Sequence, residues 1–531
     1  MKPFNPLATP LLTDMYQVTM AYAYWKNKKA DDTAVFELFF RDCPFGGEFA
    51  IFAGLTQVLA FVEQFRFSGK QVDYLRRVMA GNGCEPAFFD WLATRTCRDV
   101  RIYAPKEGSV VFPKLPLLRV EGPLGVVQLL ETPLLNLVNF ATLITTNAMR
   151  FRLAAGKDKQ LLEFGLRRAQ GPDGAVSAST YACMGGFDAT SNLQAGYLFD
   201  LPVKGTHAHS FVTAYASMAD LDSPFLRDRQ GQRRDFAAQV LEIRDTLGHS
   251  TTNEGELAAF ISYAQSFPKG FLALVDTYDT LKSGVPNFLC VAVALAQLGY
   301  QPIGIRLDSG DLAYLSKETH RMFEDIYARY SLPALKNMHI VASNNINEDI
   351  LLSLHQQGHK IDIFGIGTHL ATCQSQPALG GVFKLVELNG IPRIKLSDDK
   401  EKITLPGRKQ VFRLIGKDDK ALLDVMLMMD EPAPVPGQRI LCRHPFEAKK
   451  RVYVVPTAVT RLLEPVWQGE PLSPHRNLTR IKAFAKAQID LLRPDHVRFL
   501  NPTPYRVSLS EKLYTFFHEL WEKEYPIDEL H

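Results

Sequence analysis

The chain has 531 residues, of which 46% are hydrophobic and 22% charged, proportions that are ordinary for a soluble globular protein. Its 60 Lys and Arg nearly balance its 57 Asp and Glu, and the net charge of +3 leaves no basic excess that would favour nucleic-acid binding. At roughly 150 residues per domain, the length predicts about two to four domains.

The most apolar stretch, residues 123–148, predicts a buried helix rather than a membrane span, because Gln128, Glu131 and Pro133 interrupt it. The first residues, MKPFNPLATPLLTDMYQ, lack the cationic segment and the uninterrupted apolar run of a secretory signal. The seven cysteines are scattered and odd in number, so they predict neither a zinc site nor a disulfide framework. We therefore expect a cytoplasmic protein without membrane or nucleic-acid partners.

Near the start of the chain, residues 14–27 (DMYQVTMAYAYWKN) predict an amphipathic helix. Residues 34–42 and 49–55 then predict a β-hairpin, with Gly46 and Gly47 at its bend.

The middle of the chain alternates strand and helix patterns. Predicted strands cover 271–280, 301–311, 338–347 and 361–370, and the segments between them have the periodicity of helices. This alternation is typical of right-handed βαβ units in a parallel sheet or an α/β barrel. We expect a barrel over residues 151–385, with residues 1–150 forming an N-terminal α/β domain and residues 386–531 a C-terminal region that packs on it.

Each predicted strand of this region ends in polar or glycine residues. They are Asp276, Asp279, Arg306, Asp308, Ser309, Asp311, Ser343, Asn344, Gly365, Gly367 and Thr368. In an α/β barrel the carboxyl ends of the strands carry the active site. Residues 160–174 (QLLEFGLRRAQGPDG) and 203–212 (VKGTHAHSFV) have the same form, a strand followed by polar residues. If 203–209 is extended, His207 and His209 lie on one face of the strand and can serve one site.

The predicted strand ends combine carboxylates with cations. The carboxylates are Asp276, Asp308 and Asp311, and the cations are Arg306, Arg167 and Arg168. The loop GIGT could cradle a phosphate with its backbone N–H groups. This mixture suits a phosphorylated sugar with a metal-bridged pyrophosphate. Each piece also has a plain structural explanation: a tight turn for GIGT, a helix cap for the DTYDT acids and surface arginines for FGLRR.

A different class of protein, a metal-dependent hydrolase, would use His207 and His209 as zinc ligands. It needs more histidines at later strand ends, and only His369 is well placed for this role.

The motifs together resemble one family, nicotinate phosphoribosyltransferase, over nearly the whole chain. The matching segments include LLTDMYQ, EFGLRRAQGPDG, GTHAHSFV, DTYDT, RLDSGD, SNNIN, GIGT and LPGRK, in the family's order. The usual family form of the histidine motif is G-T-x-A-H-S, so His209 is the shared histidine and His207 occupies the variable position. The resemblance implies an irregular, TIM-like α/β barrel with an α/β domain made from the N-terminal and C-terminal regions. It also implies a homodimer whose sites are shared.

The implied reaction joins nicotinate to phosphoribosyl pyrophosphate, giving nicotinate mononucleotide and pyrophosphate, the first step of NAD salvage from nicotinate. The family couples this step to hydrolysis of ATP, a co-substrate, through a phosphohistidine, here His209, and uses Mg²⁺. The nicotinamide-using relative shares the fold and the histidine but lacks GLRRAQGPDG. Quinolinate phosphoribosyltransferase is disfavoured because it is much shorter and has no coupling histidine.

The resemblance also implies roles for individual residues. Catalysis would depend on His209, Asp308 and Asp276, the last facing Mg²⁺ indirectly. Nicotinate would contact Tyr16 from across the dimer, together with Phe164, Arg167, Arg168 and Ser191. Phosphoribosyl pyrophosphate would contact Arg306, Asp308, Ser309, Gly310, Ser343, Asn344, Gly365, Gly367 and Thr368. Thr206 and Asp311 match family motifs without an assigned role, and the role of residues 405–409 (LPGRK) stays open.

Overall fold

A computed structural model describes residues 5–399, 402–472, 477–527 and 529. The chain divides into two compact units. The first unit comprises Met1–Asn147 and Ser375–His531, and the second unit comprises Ala148–Gln374. Within the described residues, none of the helices combines the length and the apolar character needed to cross a membrane.

The helices, in chain order, are α1 (Met15–Lys26), α2 (Leu55–Gln64), α3 (Gly69–Val78), α4 (Pro86–Ala93), α5 (Leu124–Leu129), α6 (Glu131–Ala155), α7 (Gly171–Met184), α8 (Leu193–Phe199), α9 (His209–Thr213), α10 (Phe236–Thr246), α11 (Glu254–Ser266), α12 (Val285–Gln297), α13 (Leu312–Tyr330), α14 (Glu348–Gln356), α15 (Thr368–Ala371), α16 (Leu478–Asp490) and α17 (Glu511–Glu524). 

The strands are β1 (Thr33–Phe40), β2 (Ala50–Ile51), β3 (Arg101–Ala104), β4 (Val110–Val111), β5 (Leu118–Pro123), β6 (Gln160–Glu163), β7 (Ala189–Thr190), β8 (Phe225–Arg227), β9 (Arg233–Asp235), β10 (Leu272–Leu274), β11 (Gly304–Leu307), β12 (His339–Ala342), β13 (Ile363–Ile366), β14 (Gly381–Leu388), β15 (Ile391–Pro392), β16 (Lys409–Ile415), β17 (Ala421–Met428), β18 (Ile440–Arg443), β19 (Arg451–Val454), β20 (Ala458–Arg461), β21 (Glu464–Gln468) and β22 (Val507–Ser510).

The first unit contains two six-stranded sheets, ordered β15-β14-β1-β5-β3-β21 and β19-β18-β22-β17-β16-β20. Helix α1 confirms the helix predicted near the start of the chain. The segment predicted as a helix over 123–148 is helical but forms two helices, α5 and α6. The predicted hairpin is wrong. Strand β1 is buried along almost its whole length and pairs antiparallel with β5 and β14. Both of its edges are therefore occupied, and β2 pairs with β4 instead.

The second unit is built on a parallel sheet ordered β10-β11-β12-β13-β6-β7. Helices α12, α13 and α14 connect its first four strands, and α12 is buried on nearly every side. The alternation of strands and helices predicted for 271–370 is thus confirmed. Among the described residues, β10 and β7 do not pair with each other, so the hydrogen-bonded sheet is open rather than closed. The structure thus establishes a mixed α/β fold.

Candidate active site

Side-chain hydrogen bonds join the carboxyl ends of β10, β11 and β12. The carboxylate of Asp276 accepts from the backbone N–H of Asp308 at 3.2 Å and from the hydroxyl of Ser309 at 2.5 Å. The carboxylate of Asp308 accepts from the hydroxyl of Ser343 at 2.6 Å. Parallel strands end at one edge of a sheet, and the predicted strand-end residues therefore meet there.

His209 faces this carboxylate pair. Its Nδ1 lies 3.2 Å from the hydroxyl of Thr277, and its Nε2 lies 3.9 Å from a carboxylate oxygen of Asp276 and of Asp308. The imidazole is 44% exposed, whereas the side chain of Asp276 is 2% exposed. Thr277 and the two carboxylates thus orient the ring, and one side of the ring remains open to a ligand.

His207 does not share this position, and the expectation that residues 203–209 form a strand with both histidines on one face is wrong. Val203 makes a single bridge to Thr190, and α9 begins at His209. The ring of His207 packs among Phe211, Phe260 and Tyr263 instead. Because the chain changes from a loop to a helix at this point, the two imidazoles point in different directions.

His207 makes its contacts inside the second unit. Its Nε2 accepts from the backbone N–H of Leu274 at 3.4 Å, a long contact. Burial, together with the charges of Arg306 and His209, lowers the pKa of His207 to about 4. The imidazole is therefore neutral at physiological pH.

Arg306 connects β11 to the loop that precedes His209. Its guanidinium donates to the hydroxyl of Thr206 at 3.1 Å and to the carbonyl of His207 at 2.9 Å. Burial lowers the pKa of Arg306, while the neighbouring carboxylates of Asp308 and Asp276 raise it. Arg167 also lowers this pKa through charge repulsion, which indicates that the FGLRR turn faces the same region.

The predicted nicotinate residues of the second unit surround the end of β6. Phe164 follows β6, and its ring covers Gly365 so closely that an added Cβ there would overlap it. Arg167 and Arg168 lie in an exposed 3₁₀ turn, Leu166–Arg168. Ser191 follows β7 and donates its backbone N–H to the carbonyl of Glu163 at 2.9 Å.

Two residues that have a direct role in this geometry, Glu163 and Thr277, were not predicted as site residues from the sequence. The buried carboxylate of Glu163 accepts from the hydroxyls of Ser179 at 2.7 Å and Thr190 at 2.5 Å, and from the backbone N–H of Gly165. It thereby shapes the turn that carries both arginines. Thr277 is the second, because it contacts His209. Both lie near the ends of predicted strands and inside family-matched segments, Glu163 in EFGLRRAQGPDG and Thr277 in DTYDT, and these were the signals that could have identified them.

The other predicted phosphate residues occupy turns at the same edge. Gly310 has a φ of +78°, a left-handed conformation that favours glycine. Asp311 caps α13, because its side chain accepts from the backbone N–H of Tyr314 at 3.0 Å. Asn344 follows Ser343 after β12, while Gly367 and Thr368 form the junction between β13 and α15.

Two segments of interest belong to the first unit. Tyr16 lies at the start of α1, is 49% exposed and donates its hydroxyl to Glu131 at 3.1 Å. In the LPGRK segment, Lys409 is buried and forms an ion pair with Glu37 at 3.0 Å. Its ammonium also donates to the carbonyls of Leu405 and Gly407 at 2.8 and 2.7 Å, so it closes the segment on itself.

The described residues include no group of three or more His, Cys, Asp or Glu side chains arranged to hold a metal ion directly. His207 and His209 in particular contact different groups. One oxygen of the Asp276 carboxylate is buried and has no hydrogen-bond partner among the described residues. This carboxylate oxygen is suited to a water molecule of a hydrated cation.

Comparisons with known proteins agree along the chain. The models for the nicotinate phosphoribosyltransferase N-terminal domain, family and C-terminal domain match residues 11–139, 288–426 and 408–517. Nicotinate phosphoribosyltransferase 1 of Arabidopsis thaliana is 52% identical over 542 residues, which cover 100% of this chain and 97% of that protein. Nicotinate phosphoribosyltransferase of Homo sapiens is 46% identical over 528 residues, covering 98% of each chain.

A solved structure agrees with the sequence matches. The crystal structure of human nicotinic acid phosphoribosyltransferase superimposes with a TM-score of 0.86 at 44% identity, covering 96% of this chain and 99% of that one. Identity of this level over whole chains is far above what a shared fold alone produces. This chain therefore belongs to the nicotinate phosphoribosyltransferase family.

Proposed function

We propose that the protein transfers the phosphoribosyl group of phosphoribosyl pyrophosphate to nicotinate, releasing pyrophosphate, and that ATP hydrolysis drives this step through a phosphohistidine at His209. The observation that carries the proposal is the position of His209, held by Thr277 with its Nε2 3.9 Å from both Asp276 and Asp308. A reactive imidazole beside strand-end carboxylates suits both phosphoryl transfer and sugar binding.

In the transfer step the ring nitrogen of nicotinate attacks the anomeric carbon of the ribose as the bond to pyrophosphate breaks. The pyridine nitrogen carries a lone pair and no proton, so this step needs no general base. Catalysis depends on holding both partners in line and on stabilising an oxocarbenium-like state. Asp308, fixed by Ser343, would accept from the ribose hydroxyls.

The base would lie against Phe164, with Arg167 providing the positive charge that its carboxylate requires. Arg168 would add to the local positive potential, and Ser191 would leave the pocket free of a competing acid. This arrangement favours nicotinate over nicotinamide as the substrate. The partner subunit of a homodimer would supply a second aromatic face through Tyr16, which is half exposed in this chain.

The phosphates would be held by Arg306, Ser309 and backbone N–H groups of the turns at Gly310 and Gly365–Thr368, with Ser343 and Asn344 beside them. Mg²⁺ bound to pyrophosphate would supply charge neutralisation for the leaving group. Asp276 would face its coordinated water molecules through the carboxylate oxygen that lacks a protein partner.

The coupling step would use the neutral tautomer of His209 whose Nδ1–H donates to Thr277, which leaves the Nε2 lone pair free. Nε2 attacks the γ-phosphorus of ATP, ADP leaves, and phosphohistidine is later hydrolysed to phosphate. The charge of the phosphoryl group would tighten substrate binding by favouring a closed state of the site.

The proposal includes the irregular barrel expected for the family. Support for a barrel comes from Leu274 of β10 and Arg306 of β11, which both contact His207 in the segment that follows β7. It also includes a cytoplasmic location, which suits cysteines that are scattered along the sequence and odd in number rather than spaced as a disulfide framework.

A single assay tests the proposal. Purified protein is incubated with phosphoribosyl pyrophosphate, Mg²⁺ and either nicotinate or nicotinamide, with and without ATP, and mononucleotide is measured. We expect synthesis from nicotinate that ATP stimulates. Synthesis from nicotinamide but not from nicotinate, or no synthesis from either base, would contradict the proposed function.

A further inference from the structure

Glu256 is a buried carboxyl group that the proposed chemistry does not use. It lies in the first turn of α11 and is fully shielded from solvent. Its Oε2 accepts from the hydroxyl of Ser283 at 2.6 Å and from the side-chain amide of Asn287 at 3.0 Å. Ser283 in turn accepts from the backbone N–H of Asn253 at 2.9 Å. One carboxyl group thus joins α11, α12 and the turn between β10 and α12.

That turn is a π-helical segment, Thr280–Gly284, a rare conformation that is often found at functional sites. Asp279 caps it by accepting from the backbone N–H groups of Leu281 and Lys282 at 3.1 and 2.8 Å. Its last residue, Gly284, packs directly on the carbonyl of Val275, where any Cβ would overlap. The position of the turn therefore determines where the backbone leaves β10.

The residues that follow this exit point are the ones that contact His209. Thr277 lies 3.2 Å from its Nδ1, and Asp276 lies 3.9 Å from its Nε2. A small displacement of the turn would move both groups relative to the imidazole, and catalytic contacts are sensitive to shifts of about 1 Å.

We propose that Glu256, acting through Ser283, is a positioning residue that holds the segment 276–284 so that Thr277 and Asp276 orient His209. This inference rests on the proposed phosphorylation of His209 and extends it to a residue that contacts no substrate.

The contacts of Glu256 are hydrogen bonds rather than ion pairs. Burial, together with the negative charges of Asp276 and Asp279, raises the pKa of Glu256 to about 7, although the hydrogen bonds from Ser283 and Asn287 lower it in part. Helix α12, which packs against it, carries no charged side chain. An uncharged glutamine has the same shape and retains an acceptor oxygen, so it should replace the carboxyl group.

The test measures two reactions of the full-length protein. The first is labelling of His209 by γ-labelled ATP, and the second is the slow synthesis of mononucleotide without ATP. We expect Glu256→Ala and Ser283→Ala each to slow labelling by about 10-fold or more, because Thr277 and Asp276 would both shift relative to His209. ATP-independent synthesis uses Asp276 but neither Thr277 nor His209, so it should fall by a clearly smaller factor. Glu256→Gln should restore most of the labelling rate. The double variant should be no slower than either single variant, because both act through one contact.

Glu242→Ala, which removes an exposed carboxylate of α10, is the matched control and should label normally. If Glu256→Ala does not fold, Ser283→Ala and Glu256→Gln still decide the matter. If wild type is labelled and Ser283→Ala is labelled at the same rate, this inference alone is overturned. It is also overturned if a variant loses labelling and ATP-independent synthesis equally and both losses follow a lowered melting temperature. No label in wild type would overturn the coupling proposal and this inference with it.

Discussion

The hydroxyl of Ser309 donates a hydrogen bond of 2.5 Å to the carboxylate of Asp276, which ties the end of β11 to the end of β10. The same carboxylate accepts from the backbone N–H of Asp308. Asp276 and Asp308 would repel each other, but these hydrogen-bond donors offset part of their negative charge. The two carboxylates are thereby held together near His209.

His209, and not His207, should become phosphorylated. Its imidazole is partly open, while His207 is packed among aromatic rings and its Nε2 faces the backbone of Leu274. We expect acid-labile label from γ-labelled ATP in wild type and in His207→Gln, and none in His209→Ala. Label that persists in His209→Ala would show that another residue is the acceptor.

Asp308→Asn should lower turnover by about 10² or more without unfolding the protein. The amide keeps an oxygen that can accept from Ser343, so the fold is retained, but the charge that favours an oxocarbenium-like state is lost. Steady-state kinetics and thermal melting of both proteins check this. A normal turnover with a lowered melting temperature would assign Asp308 a structural role.

Wild type should prefer nicotinate over nicotinamide by at least about 10²-fold in kcat/KM, because an unpaired carboxylate in a partly dry pocket is unfavourable. Arg167→Ala should erode this preference, mainly by weakening the use of nicotinate. Arg168→Ala, in the same exposed turn, is the matched control and should have the smaller effect. An Arg167→Ala enzyme that still strongly favours the acid would contradict this account of specificity.

Acid should remove a stabilising contribution of His207. Its folded-state pKa is about 4, because burial disfavours the cation. In the unfolded chain the pKa is about 6.5, so the unfolded state takes up a proton that the folded state does not. The free energy of unfolding should therefore fall as pH falls from about 6.5 to about 4, by roughly 2 to 3 kcal/mol in total from this group.

Denaturant unfolding of wild type and His207→Gln at about pH 7.5 and about pH 4.5 isolates this contribution. Glutamine does not titrate, so the stability of wild type relative to the variant should decrease at the lower pH. A difference in free energy that is the same at both values would exclude His207 as the source.

The sequence determined much of the second unit, because its strands and helices have strong local patterns. Apolar segments and helix periodicity located β10 to β13 and α12 to α14, although each of these strands has only three or four residues and is shorter than the predicted segment. Carboxyl ends of parallel strands meet at one edge whatever the details of packing, so the meeting of Asp276, Asp308 and Ser343 followed from their positions. The family motifs identified the shared histidine as His209.

The contacts that those residues make depend on tertiary packing. The two histidines diverge because a helix begins at His209, which period-two alternation could not predict. Strand β1 pairs with β14, more than 300 residues away in sequence, instead of closing a local hairpin. The buried acids Glu163 and Glu256 and the Lys409 ion pair depend in the same way on burial and on partners brought together by folding. Local sequence patterns encode the period of each element, whereas pairing and desolvation depend on segments distant along the chain.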